Sequence, residues 1–370
     1  MKKIDYLRFL PQKKRIDFPL FIMTVLFTVF GLVMIYEASN VAAFLSFSDK
    51  YHFVKDQFIW ALIGFFTLGV LSQIHYRKYF YFAVPVITVA IISLIVVLIP
   101  GIGLKAMGAR RWIDLGFFSF QPSEVVKISL ILYLSSWFTN KEKGRFLPFL
   151  FLLAFIVGLV ILQPDLGTAV ILTAIFIIIY FISGPPLWHF FILIPSAIIS
   201  VLCLAVVSPY RYQRLITFLS PDNDPLGSSY HIRQVLISLG SGGVFGLGIG
   251  ASRQKYQYLP EATTDSIFAI IGEEFGFFGA FILIVAFMIL LTRIYKIVKN
   301  APDRFAQLLS SGILSLLASQ IIINLGAMVA LFPLTGIPLP FISYGGSNLV
   351  VTLASIGILL NISKYRIQNK

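Results

Sequence analysis

The sequence has little charge and almost no cysteine. Asp, Glu, Lys and Arg together make up 12% of the 370 residues, and hydrophobic residues make up 58%. Because an average soluble protein is roughly 25% charged, this composition excludes an ordinary soluble globular protein. The single cysteine, Cys203, excludes an intrachain disulfide, which needs two thiols.

Histidine is scarce, and the common nucleophile motifs are missing. The four histidines show no metal-ligand spacing, and the sequence has neither a Gly-x-Ser-x-Gly run nor a Cys/His pair that indicates a nucleophile. The glycine-rich run 240–250 does not end in Gly-Lys-Ser/Thr, so it predicts a flexible loop or re-entrant backbone and not a phosphate-binding loop. Any chemistry is therefore expected to be carboxylate chemistry.

Long apolar stretches run along most of the chain. Crossing a bilayer takes about 20 mostly apolar residues, and seven stretches here contain no Asp, Glu, Lys or Arg: 18–36, 57–76, 79–104, 146–164, 166–210, 275–292 and 305–363. The two longest break naturally at 183–186 and 333–340, and the charged but apolar segment 121–137 adds one span. We therefore predict an all-α polytopic membrane protein with ten transmembrane helices, and residues 1–370 form one integral membrane domain.

Lysine and arginine are concentrated on one predicted side of this bundle. Of 29 basic and 16 acidic residues, the segments on that side hold 18 and four, which leaves 11 and 12 elsewhere. Because positive charge marks cytoplasmic segments, both termini are predicted to be cytoplasmic, as a basic N-terminus (1–17) and a tail (364–370). Residues 208–264 become a large extracytoplasmic loop between helices 7 and 8. Topology accounts for the whole net charge of +13, so no nucleic-acid partner is expected.

Charged residues inside or beside the spans are candidates for function. Glu124 and Lys127 are three residues apart and share a helical face, where they can pair. A charge at mid-membrane costs about 2.5 to 3.5 kcal/mol on insertion scales, so such residues usually face the bundle interior or a wet cavity. A structural salt bridge and a substrate contact both remain open for this pair. Arg110 and Arg111 precede it on the outer side.

Three carboxylates lie near the outer face. Asp165 can cap the sixth helix, and it can also shape an anion site beside the arginines. Asp265 lies at the start of the eighth helix, where an N-cap stabilises by about 1 kcal/mol. The functional alternative for Asp265 is a carboxylate base at the membrane interface. Glu273 follows within the first three turns of that helix.

The proline- and glycine-rich stretch 333–347, which includes Ser343 and Tyr344, interrupts the longest apolar stretch. Non-helical backbone at such depth is tolerated where it is buried in protein or lines a cavity. A cavity-lining segment and a tight outer loop are the two interpretations.

Several short motifs follow one another in a fixed order along essentially the whole chain. They are Arg-Arg-Trp at 110–112, Gln-Pro-Ser-Glu at 121–124 with Lys127, Gln-Pro-Asp-Leu-Gly-Thr at 163–168, Asp-Pro-Leu-Gly at 224–227, Leu-Pro-Glu at 259–261 with Thr-Asp at 264–265, Gly-Glu-Glu at 272–274, and Pro-Phe-Ile-Ser-Tyr-Gly-Gly-Ser at 340–347. This ordered set resembles the SEDS family (shape, elongation, division and sporulation), typified by FtsW and RodA of bacterial wall synthesis.

The resemblance implies ten helices and a peptidoglycan glycosyltransferase that polymerises lipid II. It implies that Asp265 is the catalytic aspartate, that Glu124 and Lys127 form a buried ion pair, and that Asp165 is an acid of the cavity.

The chain departs from the family pattern at two positions. Thr263 and Ser266 stand where the family often has His and Phe, while the aspartate itself is kept. The runs 250–255 and 339–346 look more like FtsW than RodA, which favours division over elongation.

The predicted reaction takes place at the outer face of the bacterial cytoplasmic membrane, where the activating group must arrive on a lipid. A base such as Asp265 contributes about 10² to 10⁴-fold by taking the proton of the acceptor hydroxyl. The departing lipid diphosphate needs cationic stabilisation. The residues expected to bind substrate are Glu124, Lys127, Asp165, Arg110, Arg111, Glu273, Ser343 and Tyr344.

Mg²⁺ or Mn²⁺ is a candidate cofactor with unassigned ligands, and no organic cofactor is predicted. The expected partners are lipid II, a class B penicillin-binding transpeptidase, and divisome or elongasome proteins. Two other functions remain open: a lipid II flippase or transporter, which ten helices with broken segments would suit, and a non-catalytic scaffold for a cell-wall transpeptidase.

Overall fold

The computed structural model describes residues 16–106, 109–114, 116, 119–139, 144–207, 209–219, 229–256 and 258–365. Over these residues the chain forms twelve α-helices and one small antiparallel sheet. The helices are α1 (Phe18–Phe47), α2 (His52–Gln73), α3 (Tyr76–Val96), α4 (Pro122–Trp137), α5 (Phe146–Leu162), α6 (Leu166–Ser183), α7 (Trp188–Val207), α8 (Pro209–Leu219), α9 (Tyr230–Ser241), α10 (Ile267–Lys299), α11 (Arg304–Met328) and α12 (Gly346–Ser363). The strands are β1 (Gly103–Ala106), β2 (Ala109–Asp114) and β3 (Ser119–Phe120).

Seven helices in the described part of the chain are long and apolar enough to cross a membrane: α1, α2, α3, α6, α10, α11 and α12. Shorter apolar segments lie in α5 and α7, and α4 has 16 residues. Large side chains such as Phe66 and Phe191 are exposed, whereas polar ones such as Gln320 and Asn361 are buried among the helices. This distribution is the reverse of that in a soluble protein, and the chain is a multi-pass membrane protein. The total of ten spans stays a prediction.

The helix α12 lies at the centre of the bundle, packed mainly on α2. It is the most enclosed of the seven long apolar helices. Small residues permit the close approach, because a Cβ at Gly357 would lie 2.7 Å from the carbonyl oxygen of Leu68. At one end of the bundle the backbone N–H of Asp17 donates to Ser363 Oγ (3.0 Å), so α1 begins beside the end of α12. Which side of the membrane this end faces stays a prediction.

The helix α10 is interrupted near its start, and a glycine-rich segment fills the break. Gly276 has φ 65°, outside the helical region. The N–H groups of residues 247 and 248 donate to the carbonyls of 273 and 274 (3.0 Å each), and those of 277 and 278 donate to the carbonyls of 243 and 244 (2.9 and 3.2 Å). These bonds replace those that the helix loses, as burial away from water requires. Of the two interpretations of run 240–250, the structure therefore favours inserted backbone over a flexible loop.

The all-α prediction is wrong at one place. The predicted span 79–104 ends as a helix at Val96, and β1 then pairs with β2, which pairs with β3. The physical reason is that this connection leaves the helical bundle, so its backbone groups satisfy one another across a hairpin. The predicted loop 208–264 also contains two helices, α8 and α9, within its described residues.

The two predicted breaks in the longest apolar stretches are confirmed. The helix α6 ends at Ser183, with Gly184 in the left-handed region (φ 82°), and non-helical backbone separates α11 from α12. Most of the predicted cytoplasmic N-terminus and tail, residues 1–15 and 366–370, lies outside the described residues.

Gly276→Ala is expected to destabilise the protein by about 2 to 5 kcal/mol. A side chain at positive φ costs about 1 to 2 kcal/mol, and overpacking adds about 1 to 3 kcal/mol because the new Cβ would lie 2.2 Å from the backbone nitrogen of Gly246. The measurement is the melting temperature of the purified protein in detergent. Gly69→Ala in α2 is the control, because its Cβ meets nothing within 4 Å. Equal melting temperatures for the two variants would contradict the inserted break.

Candidate active site

Asp265 belongs to a short non-helical segment, residues 263–266, that precedes α10. Two different parts of the chain bind three of its consecutive carbonyl groups. The carbonyls of residues 263, 264 and 265 accept from the backbone N–H of Tyr344 (2.8 Å), from Ser343 Oγ (2.5 Å) and from Asn324 Nδ2 (2.8 Å). The backbone on which Asp265 stands is therefore fixed from α11 and from the loop before α12.

The N-cap of α10 is Ser266, so the capping explanation for Asp265 is wrong. Asp265 precedes the cap, and its carboxylate accepts one long hydrogen bond from Thr264 Oγ1 (3.3 Å to Oδ1). A role in starting the helix thus does not account for this carboxylate.

The surroundings of Asp265 favour its neutral form. Its side chain is 6% exposed, and burial raises its pKa from 3.8 to about 6. The nearby Glu261 contributes to this rise in the pKa, whereas the backbone N–H of Asp265, Arg214 and the Thr264 hydroxyl oppose it. A carboxylate with a pKa near the working pH is well matched to general base catalysis.

A cavity of about 620 Å³ opens beside Asp265. Gly336 lies in its wall, and a Cβ there would be 4.0 Å from Asp265 Oδ2. The wall also contains Arg111, Asp165 and Arg214, so charges of both signs face the same space. An apolar groove of about 900 Å³ along α5, α6 and α7 adjoins this cavity. The two share the residues Leu166, Val170, Val201, Leu202 and Phe332.

Asp165 caps α6, as one of its two interpretations predicted. Its Oδ1 accepts from the backbone N–H of Thr168 (3.0 Å) and its Oδ2 from the Thr168 hydroxyl (2.8 Å). Arg111, on β2, binds the chain just before this cap: its Nε donates to the carbonyl of Gln163 (3.0 Å), and a second guanidinium nitrogen donates to that of Pro164. These bonds hold both side chains at the cavity wall, and their role in binding substrate stays a prediction.

Glu124 and Lys127 form the expected ion pair on α4. Lys127 Nζ lies 2.7 Å from Glu124 Oε1, and both side chains are almost fully buried. Asn348 on α12 donates to the other oxygen, Glu124 Oε2 (2.9 Å). The pair thus ties α4 to the central helix. It does not line the cavity beside Asp265 as far as the described residues define that cavity, and a substrate contact for it stays a prediction.

Glu273 binds the segment that fills the break in α10. Its carboxylate accepts from Ser252 Oγ (2.5 Å) and from the backbone N–H of Arg253 (3.1 Å), and Ser238 and Ser241 approach at 3.4 and 3.5 Å. Its side chain is 1% exposed. The structure therefore surrounds Glu273 with donors of its own chain, while its predicted role in binding substrate is not tested.

Ser343 and Tyr344 lie behind the segment 263–266 and hold it. The Ser343 hydroxyl accepts from the backbone N–H of Leu339 (2.8 Å), in addition to its bond to the carbonyl of residue 264. The Tyr344 hydroxyl donates to Asp56 Oδ2 on α2 (2.7 Å), and this contact and burial raise its pKa. Both hydroxyls are thus used within the chain, and substrate contacts for them stay predictions.

The predicted site omits three residues that the structure brings close to Asp265. Arg214 on α8 lines the cavity and donates to the carbonyl of Leu334 (2.8 Å). Asn324 binds the backbone of Asp265, and His231 on α9 lies 2.7 Å from Ser266 Oγ. None of the three belongs to a motif used for the sequence prediction. Arg110, which was predicted, is partly buried on β2 and does not line this cavity within the described residues.

The predicted divalent cation would need ligands from the chain or from the substrate. Among the described residues, no group of three or more His, Cys, Asp or Glu side chains is arranged to hold a metal ion. Mg²⁺ is commonly bound by one or two carboxylates together with substrate phosphates, so the predicted cation would depend on the substrate.

Comparison with known proteins covers nearly the whole chain. The family model FTSW_RODA_SPOVE, described as "Cell cycle protein", matches residues 18–368. The chain belongs to this family. It is 43% identical over 356 residues to the probable peptidoglycan glycosyltransferase FtsW of Trichlorobacter lovleyi, covering 94% of this chain and 93% of that protein.

Two further comparisons extend the FtsW/RodA/SpoVE assignment. The chain is 39% identical over 360 residues to stage V sporulation protein E of Bacillus subtilis, covering 96% and 98% of the two chains. It also resembles a chain of a solved complex described as "Structural coordination of polymerization and crosslinking by a peptidoglycan synthase complex". The TM-score is 0.78 and the identity 27%, over 96% of this chain and 99% of that one. The recognised family and the prediction of a glycosyltransferase are confirmed.

Lys127→Met is expected to destabilise the protein by about 3 to 5 kcal/mol, because Glu124 would keep a buried charge without its cation. The double variant Glu124→Gln with Lys127→Met removes both charges and is expected to regain most of that loss. Melting temperatures in detergent measure both effects. A double variant no more stable than Lys127→Met would show that charge pairing is not what this site contributes.

Proposed function

We propose that this FtsW/RodA/SpoVE family member polymerises lipid II into peptidoglycan glycan strands at the outer face of the bacterial cytoplasmic membrane. The observation that carries the proposal is a buried carboxylate, Asp265, with its pKa raised to about 6, beside a cavity that adjoins an apolar groove. The names of relatives such as the Trichlorobacter lovleyi FtsW supply the peptidoglycan part of the assignment.

The combined cavity and groove suit a substrate that is polar at one end and apolar at the other. The groove along α5, α6 and α7 is lined almost entirely by aliphatic side chains, so it accommodates a polyprenyl chain by hydrophobic burial. The adjoining cavity carries Arg111 and Arg214, whose guanidinium groups match the geometry of a diphosphate. A sugar beyond the diphosphate would then reach the end of the cavity where Asp265 lies.

In the proposed reaction Asp265 accepts the proton of the acceptor sugar's hydroxyl. The hydroxyl oxygen forms a bond to the anomeric carbon of the donor, and the bond from that carbon to the lipid diphosphate breaks. Attack from the face opposite the leaving group inverts the anomeric carbon. Arg111 and Arg214 would stabilise the charge that develops on the departing diphosphate. We also propose that Mg²⁺ or Mn²⁺ would bind together with this diphosphate and not at a preformed protein site.

The proposed setting is a wall-synthesis complex of division or elongation. The similar chain from a peptidoglycan synthase complex supports a class B transpeptidase as partner, and relatives named FtsW favour the division machinery. The similarity to a sporulation protein also leaves open a setting in sporulation, with the same proposed polymerisation reaction.

The flippase alternative requires the bundle to open at both ends. At the end predicted to be cytoplasmic, Asn361 on α12 accepts from the backbone N–H of Tyr76 on α3 and donates to the carbonyl of Ser72 (2.8 Å each). The Tyr76 hydroxyl donates to Asp303 at the start of α11 (2.8 Å). These bonds link four helices, α2, α3, α11 and α12, so they oppose opening there and favour an enzyme with a site at the other end.

Asp265→Asn is expected to lower polymerisation of labelled lipid II by at least about 100-fold, because an amide cannot accept the proton. The assay uses the purified full chain in detergent, with and without Mg²⁺ or Mn²⁺ and a transpeptidase partner. The melting temperature is expected to hold, since Asn keeps the size of the side chain. Asp49→Asn, at a half-buried position between α1 and α2, is the matched control. Near-wild-type polymer from Asp265→Asn would refute the assignment, and lipid II transport in liposomes would then test the flippase.

The rate of polymerisation is expected to rise with pH and to level off above about pH 6. The base must be ionised to act, and a pKa of about 6 leaves it mostly protonated below that pH. The acidic limb of log kcat against pH should therefore have unit slope and a midpoint near 6. A midpoint near 4, the ordinary value for an aspartate, would show that burial does not tune this carboxylate in the working enzyme.

A further inference from the structure

The N-cap residue of α10, Ser266, has an unusual hydrogen-bond partner. Serine at an N-cap normally accepts a hydrogen bond from an N–H of the first helical turn. Ser266 makes no such bond. Its fully buried hydroxyl lies 2.7 Å from Nε2 of His231, which comes from the separate helix α9. The Ser266 side chain, which would normally cap α10, is thus hydrogen-bonded to α9.

His231 stands in a small pocket, lined by polar and apolar side chains, next to the cavity of the proposed active site. This pocket has a volume of about 230 Å³, and Gln213, Arg214 and Thr217 lie in its wall with His231. It shares Arg214, Phe218 and Leu334 with the larger cavity. The histidine therefore reaches the segment 263–266 from the side of the substrate space.

The imidazole of His231 is uncharged at neutral pH. Burial, together with the positive charge of Arg214, lowers its pKa to about 4. An uncharged ring can hold the Ser266 hydroxyl without adding a positive charge beside Asp265. Such a charge would lower the pKa of the aspartate and weaken it as a base.

We propose that His231 is a positioning residue for Asp265, acting through its hydrogen bond to Ser266. The inference rests on the proposed function, because it assigns Asp265 the role of base. Asn324, Ser343 and Tyr344 fix the carbonyl groups of the segment 263–266, and His231 fixes the side chain that follows Asp265. Without His231, the Ser266 hydroxyl would turn to the first-turn N–H groups of α10, and the neighbouring carboxylate would shift from its place beside Gly336.

The test compares His231→Ala, His231→Gln, Ser266→Ala and the double alanine variant in the lipid II polymerisation assay. His231→Ala is expected to lower kcat by about 10- to 100-fold, the order expected from a displacement of about 1 Å, with little change in KM. The midpoint of its acidic limb is expected to move from about 6 towards 4, because a displaced carboxylate is better hydrated. His231→Gln places an amide nitrogen near the position of Nε2 and is expected to restore kcat and the pH profile.

Ser266→Ala is expected to reproduce the loss, and the double variant to lose no more than either single variant, since both remove one bond. Ser238→Ala is the control. It removes another bond between α9 and α10, which Ser238 Oγ donates to the carbonyl of Ala269 (2.9 Å). Ala269 lies about one helical turn beyond Asp265. It is expected to keep the wild-type midpoint.

Three results would overturn the proposal: a wild-type kcat and midpoint in His231→Ala, multiplied losses in the double variant, or an equal loss with an unshifted midpoint in both His231→Ala and Ser238→Ala. Asp265→Asn in the same series separates this failure from failure of the proposed function. If Asp265→Asn is inactive and His231→Ala is normal, only the positioning role is lost. If Asp265→Asn is active, the proposed base is wrong.

Discussion

Backbone N–H and C=O groups that leave a helix inside a membrane protein need partners from the protein itself, because hydrocarbon offers none. The non-helical backbone next to α10 is organised by that requirement. The break in α10 is filled by the segment 242–248, which exchanges hydrogen bonds with residues 273–278. Glu273 then binds the following residues of the same segment. The non-helical residues 242–248 and 252–253 are therefore held by hydrogen bonds to α10.

The same requirement explains why Asp265 keeps a raised pKa. The donors that reach the segment 263–266 are used on its carbonyl groups, from Tyr344, Ser343 and Asn324. They hold the backbone, while the carboxylate accepts a long bond from Thr264 and one from its own backbone N–H. Desolvation is thus only partly compensated, which raises the pKa. Positioning and basicity come from one arrangement, because the backbone takes the hydrogen bonds that would otherwise stabilise the ionised side chain.

The parts of the structure that were predicted from sequence depend on local patterns. Hydropathy located the helices, Ser183 to Pro186 ended α6, and the three-residue spacing of Glu124 and Lys127 produced their ion pair. The hairpin after α3 was missed because apolar residues in a short strand look like the end of a span. His231, Arg214 and Asn324 were missed because they meet Asp265 only through the packing of α8, α9 and α11 around it, which no local spacing encodes.

The buried carboxylates Glu124, Asp165 and Asp265 differ in their hydrogen-bond and ion-pair partners. Glu124 has a lysine and an amide, and Asp165 has both donors of Thr168. Glu124 thereby joins α4 to α12, and Asp165 caps α6. Asp265 lies beside a cavity, with the like charge of Glu261 nearby. The structure thus gives Glu124 and Asp165 closer hydrogen-bond partners than Asp265, which is the carboxylate that the proposed function uses as its base.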